Sequence, residues 1–330
     1  MSFSSADREQ FYSELSKLTA AGFPISRALE TLLDHDLPAG QLRVVTRLDR
    51  ALKAHQDLAS SLEEALGDEA GDLDIALVRA GQDGGKLPES LGQLASHYGR
   101  RHRLVRTIRS QLIYPAFLLH LGVLLPSIPK IVARPSLAPL WTALLTLLGL
   151  WLLLGAGYLV LRRLNRSSAG TPRVDAFLGR IPLYGKMRRS GALTRFTDVF
   201  GFFLVAGQTV SVALRAAGSA SGSGVLLATA EKAARAIEMG SNLGDAMTGK
   251  PGIPKPLARG IRTGEVSGSM DIEMERWSKL YADATEDAAR NLGTWLPRII
   301  YLFIVLVVAW QIIQMATGIY APMFEILDQM

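Results

Sequence analysis

Eight residues, Gly244 to Pro251 (GDAMTGKP), come within one position of a phosphate-binding loop. In G-x-x-x-x-G-K-[ST] the backbone N–H groups cradle phosphates, the lysine neutralises them and the final hydroxyl reaches a magnesium ion. Here Pro251 takes that final place and offers neither hydroxyl nor backbone N–H. Such a loop must also follow a buried strand, whereas the preceding EKAARAIEMG reads as an amphipathic helix. The stretch therefore reads as a helix end stopped by Gly249 and Pro251. SGSGV, with Gly222 and Gly224, lacks the third glycine and the strand of a dinucleotide fingerprint and reads as an inter-helix turn. The 5 histidines form no HExxH and no paired spacing on one helix face, which gives a metal site little support. With no cysteine in 330 residues, disulfides, Cys-based metal sites and a Cys nucleophile are excluded. No catalytic group and no cofactor site emerges, so the expected function is non-enzymatic.

Two glycine-bearing turns look alike: GEVSGSM (Gly264 to Met270) and GQDGGKL (Gly81 to Leu87). Gly264 and Gly268, like Gly81 and Gly85, stand at joints between expected helices, where glycine permits tight turns and close helix approach. Their recurrence favours architecture over a phosphate site. Glu265 faces Gln82 in this comparison, so the turn itself does not demand a charge. The acid either favours a nearby helix N-terminus or contacts a basic group on a partner or neighbouring subunit. The five residues Glu265, Gly264, Gly268, Gly81 and Gly85 are the candidates for a partner interface.

The elements that hold these turns are helical. Apolar positions fall three and four apart, and no alternating strand pattern occurs. Helices are expected to restart at Ser26 after the GFP break (Gly22 to Pro24) and to run near 40–54, 58–66, 70–80 and 88–110. Hydrophobic content is 48% and mean hydropathy +0.20. The start, MSFSSADREQFYSEL, is polar and acidic where a signal peptide would be basic then apolar, so no cleavable signal is expected.

Three apolar runs interrupt two polar blocks. Residues 138–161 and 296–319 contain uncharged stretches (PLWTALLTLLGLWLLLGAGYLVL and IIYLFIVLVVAWQIIQMATGI) long enough for a hydrocarbon core of ~30 Å. The run at 111–133 is weaker, with three prolines, His120 and Lys130, and taken alone could be re-entrant. Arginine placement argues that it spans. Arg100, Arg101, Arg103, Arg106 and Arg109 precede it, and Arg162, Arg163, Arg166, Arg173 and Arg180 follow the second run, whereas the tail 320–330 has no Lys or Arg. The positive-inside rule then puts both collars and the N-terminus in the cytoplasm and the C-terminus outside. Three crossings satisfy this and two do not. The expected class is an all-α integral membrane protein. Cytoplasmic bundles lie at 1–110 and 165–294, with membrane helices at 111–133, 138–161 and 296–319. Inside the membrane the polar candidates are His120, Gln311 and Gln314; Gln311 and Gln314 share a helix face and are expected to bond between helices or subunits.

The two blocks are copies. FYSELSKLTAAGFPISRAL (Phe11 to Leu29) aligns without gaps on FTDVFGFFLVAGQTVSVAL (Phe196 to Leu214). Phe11, Leu15 and Leu18 fall on Phe196, Phe200 and Phe203, so the core face is kept. Leu58 and Leu62 match Leu243 and Met247 at the same offset. After a two-residue shift Gly81, Gly85, Leu87, Leu91, Leu94 and Tyr98 match Gly264, Gly268, Met270, Met274, Trp277 and Tyr281. Each repeat then meets a proline, Pro115 or Pro297, at the entry to a membrane run. Copies of one fold share a compartment, which again requires an even number of crossings between them.

The order F…L…AGxxxSxAL, then GSNL (Gly240 to Leu243), then GEVSG leading to Tyr281 and a membrane helix, resembles the type II secretion system F protein family and the related type IV pilus inner-membrane platform proteins. The resemblance covers nearly the whole chain. It implies a six-helix bundle per domain and a non-enzymatic platform in the inner membrane. Implied partners are a cytoplasmic assembly ATPase, pilin-like subunits, other inner-membrane assembly proteins and further copies of the chain. Two departures stand out. Many members carry a segment before the first domain, which here starts by about residue 7, and His55 replaces the glycine corresponding to Gly240.

Charge adds lipid to the expected partners. Residues 1–99 hold sixteen acids against nine bases, followed at once by the five-arginine collar, which suits anionic headgroups. Basic residues beside the apolar runs, not on a distal face, argue against nucleic acid. The alternative function, a small transporter or channel subunit, would show more spans and a charged or broken-helix site near midplane.

Overall fold

The computed structural model describes residues 3–54, 57–125, 128, 131, 137–182 and 184–328. The side chains of Asp68, Asp72, Thr107, Ile108, Gln111, Leu112, Arg166, Leu296, Ile300 and many from 303 onward lie outside the description. Among the described residues the chain is helical and holds no strand. It divides into two units, one of residues 1–105 with 164–288 and one of residues 106–163 with 289–330.

The first unit holds both repeats. In the first, α1 (Ser5–Ala20), α2 (Ile25–Leu33), α3 (Ala39–Lys53), α4 (Leu58–Leu66), α5 (Asp72–Asp83) and α6 (Leu87–Leu124) follow one another. After α7 (Ala138–Ser168) and the short α8 (Pro172–Leu178), the second repeats them. Its helices are α9 (Tyr184–Val205), α10 (Val210–Ala220), α11 (Gly224–Glu238), α12 (Leu243–Met247), α13 (Lys255–Ser267) and α14 (Met270–Asp328). Ile25, Ala39 and Leu58 start helices at the positions matched by Val210, Gly224 and Leu243. Beyond the two-residue shift, Asp72 and Leu87 start where Lys255 and Met270 do. The alignment thus predicts both helix order and helix starts.

Local chemistry explains these boundaries. Ser4 and Asp7 form a capping box, each side chain accepting from the other's N–H at 3.2 and 3.0 Å. Asp57 caps α4 and Ser223 caps α11. Prolines 24, 38 and 254 precede α2, α3 and α13. α1 and α9 end alike, on Gly22 (φ +89°) and Gly207 (φ +77°), with the next N–H bonded back to Leu18 and Phe203 carbonyls.

The core joins the repeats. Phe11, Leu15, Phe196 and Phe200 are buried in one apolar cluster that runs through both bundles, and α5 packs against α9 and α10. The approach is close: a methyl on Gly84 would lie 2.6 Å from the Ala206 carbonyl oxygen. At one set of buried positions the first repeat carries charges that the second lacks. Arg8 Nη1 donates to Asp74 at 2.8 Å and to the Tyr98 hydroxyl at 3.0 Å, all three side chains being buried. Burial pushes the Asp74 carboxyl up, while the Arg8 guanidinium and the Tyr98 hydroxyl pull it back down. The matching residues of the second repeat are Leu193, Leu257 and Tyr281, also buried.

In the second unit α6 continues through Pro115 to Leu124. Among the described residues one helical stretch, Ala138–Asn165, is long and apolar enough to cross a membrane, and Ile113–Leu124 is a shorter apolar one. Leu144, Leu145, Leu148 and Trp151 to Leu154 of α7 expose their side chains. α14 runs unbroken from Met270 to Asp328, through the apolar run at 296–319.

Candidate functional site

The two glycine turns have one geometry. Gly268 (φ +70°) and Gly85 (φ +65°) each hold the left-handed conformation that closes α13 and α5. The N–H groups of Gly268 and Ser269 bond to Gly264 O, and that of Lys86 to Gly81 O. The turn amides are therefore spent on helix carbonyls and do not form a phosphate cradle. A methyl on Gly81 would lie 2.3 Å from Ser90 Oγ, and one on Gly264 3.1 Å from Met270 Cα, so these two glycines permit helix approach.

Glu265 is engaged within its own domain. Its two carboxylate oxygens accept from the N–H groups of Leu243 and Gly244 at 2.6 and 2.7 Å, at the first turn of α12. Two orphan donors and a helix dipole are satisfied by one acid. Gln82 Oε1 accepts from the N–H of Leu58, the first residue of the matching α4, at 3.2 Å. The carboxylate thus fills one of the two roles expected for it, holding a helix N-terminus, and its counterpart shares that role. The near-Walker stretch occupies this same α12 and the turn after it, with Gly249 (φ +69°) and Gly252 (φ +82°) bracketing Pro251. Gly224 packs against the chain near α7: a methyl there would meet Ser168 O at 2.7 Å.

In the second unit, Trp151 Nε1 of α7 donates to His120 Nε2 of α6 at 3.3 Å, and His120 Nδ1 lies 2.7 Å from Ala116 O. With Nε2 accepting from Trp151, Nδ1 is the ring nitrogen placed to donate to Ala116 O. The side chains of Gln311 and Gln314 lie outside the described residues.

Two polar nodes escape the sequence reading. In the first, Asp175 of α8 accepts from Arg188 and Ser223, while Arg188 also donates to Asn165 Oδ1 at 2.9 Å and Ser168 Oγ at 2.7 Å. In the second, Arg100 of α6 pairs with Asp198 of α9, which also accepts from Ser278 of α14. This node ties the repeats together. Burial raises the Asp198 carboxyl, opposed by Arg100. Close by, Arg195 donates through Nε to Ser221 O at 3.0 Å. Burial, then Arg188 and Arg101, lower it to about 10. Burial and the cations Arg195, Arg100 and Arg101 hold His97 down at about 3. The repeat alignment carries a signal for this node, because Arg195 and Asp198 flank Phe196 where the first repeat has Gln10 and Ser13.

Residues 11–132 and 196–317 each match the family model for type II secretion system (T2SS), protein F. Among curated relatives, a type 4 fimbrial assembly protein PilC of Pseudomonas putida is 29% identical over 97% of this chain and 84% of its own length. A type II secretion system protein F of Xanthomonas campestris pv. campestris is 27% identical over 90% of this chain and 78% of its own. A type IV pilus assembly protein PilC of Thermus thermophilus is 24% identical over 96% and 82%.

Proposed function

Because the chain belongs to the type II secretion system protein F family, we propose that it is a non-enzymatic platform in the inner membrane for a secretion or pilus-type assembly machine. On this reading it links a cytoplasmic assembly ATPase to pilin-like subunits and works alongside further copies of itself and other inner-membrane components. The observation that carries it is the duplicated helical bundle, with each copy's last helix, α6 or α14, continuing past the bundle into an apolar run. The exposed leucines of α7 support a membrane-crossing role for 138–161. Three spans, at 111–133, 138–161 and 296–319, keep both bundles in the cytoplasm with the tail 320–330 outside.

Co-purification tests the function: the full chain should retain a cytoplasmic hexameric ATPase and pilin-like subunits. Recovery of neither, with saturable solute flux in vesicles, would favour a transporter. Phosphatase fusions test the topology. A fusion after Met330 should be active, and one at exposed Gly170 inactive. Gly170 is the better site than nearby Ser168, which is buried and bonded to Arg188. Activity at Gly170 would mean that 111–133 does not cross.

A further inference from the structure

Between the two repeats lies a cavity of about 360 Å³, walled by α6, α9 and α14 and the turn at Gly222. Its charged lining is Arg100, Arg101, Arg195 and Glu286, with His97 beside them. Arg100 is matched by Asp198. Among the described residues no ion pair involves Arg101 or Arg195, which leaves the wall with an excess of positive charge.

We propose that this cavity binds a phosphate-bearing anion, with Arg195 as its principal donor and Arg101 as its second. Arg195 is preorganised for this. The Ser221 carbonyl accepts from both Nε and Nη2 and so fixes the guanidinium. Two glycines lie beside the guanidinium: a methyl on Gly222 would press on Nη2 at 3.2 Å, and one on Gly191 would reach ordinary contact with Nη1 at 3.6 Å. Space is thus kept beside a planar fork whose geometry suits phosphate oxygens. Asp198 and Asp175 act on Arg195 only from a distance; a desolvated cation with no carboxylate bonded to it is costly, and the same low dielectric strengthens its attraction to an entering anion. The fold itself does not need a cation here. Gln10 holds the matching place in α1, where it is exposed and bonded to Glu14 at 3.0 Å. Burial first, and neighbouring arginines second, lower both Arg195 and His97.

The phosphate could belong to a lipid headgroup or to a soluble compound, and one experiment separates them. The full-length protein in neutral detergent is unfolded thermally at constant ionic strength. It is titrated with pyrophosphate, with short-chain phosphatidylglycerol, and with phosphatidylcholine, whose choline offsets the phosphate charge. Saturable stabilisation by pyrophosphate alone assigns a soluble phosphate compound, and by phosphatidylglycerol alone a lipid headgroup. A response to both supports a site for the phosphate group itself. Arg195→Gln should weaken the apparent affinity about tenfold or more, and Arg235→Gln on the surface of α11 should leave it unchanged. If Arg195→Gln does not fold, Arg101→Gln at an exposed position makes the same comparison. No response to either anion, equal responses to both lipids, or wild-type affinity in the folded cavity variants overturns the proposal.

Discussion

Gln82 and Glu265 stand at matching positions and do matching work: each holds the N-terminus of a helix in its own repeat, Gln82 that of α4 and Glu265 that of α12. An amide oxygen suffices in the first repeat. In the second a carboxylate takes two N–H groups at the start of a helix only 5 residues long.

Glu265→Ala should therefore destabilise the second repeat by ~1–2 kcal/mol, the scale of a lost N-cap. Glu265→Gln should cost less than ~1 kcal/mol, because the amide can copy Gln82. Urea unfolding of both variants checks the order. Normal secretion or pilus formation in Glu265→Gln would identify the acid as a cap alone, and failed assembly at unchanged stability would return it to the list of partner contacts.

Removing one member of the Arg8–Asp74 pair should be far worse than removing both. Asp74→Leu alone leaves a buried guanidinium unpaired and should cost ~3–5 kcal/mol. Arg8→Leu with Asp74→Leu copies the Leu193–Leu257 arrangement of the second repeat and should recover much of that loss. A double-mutant cycle by thermal unfolding measures the coupling, and additive costs would show that the pair does not act as a unit.

The glycine turns separate strain from crowding. At Gly268 and Gly85 an added methyl meets nothing within 4 Å, so Ala there costs only the left-handed backbone term, ~1–2 kcal/mol. At Gly81 the methyl would strike Ser90, and Gly81→Ala should cost more than Gly85→Ala. A companion Ser90→Gly change should rescue Gly81→Ala and leave Gly85→Ala unaffected; chemical denaturation of the four variants decides it.

His97 predicts an acid-sensitive first unit. Its folded value of about 3 lies below the ordinary 6.5, so the unfolded chain binds the proton more readily between them. Stability should be level in this respect above pH 6.5 and fall as the pH drops toward 3. Partial exposure keeps the slope below the ~1.4 kcal/mol per pH unit of one full proton. In His97→Gln the decline across that window should be shallower; an unchanged slope would assign it to the neighbouring carboxylates.

Internal repetition made much of this fold legible. Phe11 over Phe196 and Gly22 over Gly207 fixed the face of α1 and α9 and the turns that end them, because apolar burial and left-handed glycines constrain residue type strongly. The Gly81 and Gly264 turns were legible for the same reason. What stayed hidden were contacts between distant polar residues. Nothing local in the sequence says that Arg100 meets Asp198, or that Glu265 reaches back to α12, since such pairs depend on how helices far apart in the chain pack. At the offsets that align the repeats, Arg8 and Asp74 fall on Leu193 and Leu257, but the exchange acquires meaning only once α1 and α5 are seen side by side.

The shared apolar cluster has a consequence for synthesis. The α5 surface that packs on α9 and α10 leaves the ribosome well before its partner, because residues 106–163 are made in between. During that interval the first bundle carries an uncovered apolar face, a condition that favours premature association. A ribosome delayed between Val105 and Leu164 should expose nascent chains to chaperone capture, and synonymous codon changes there should alter yield without altering a single residue.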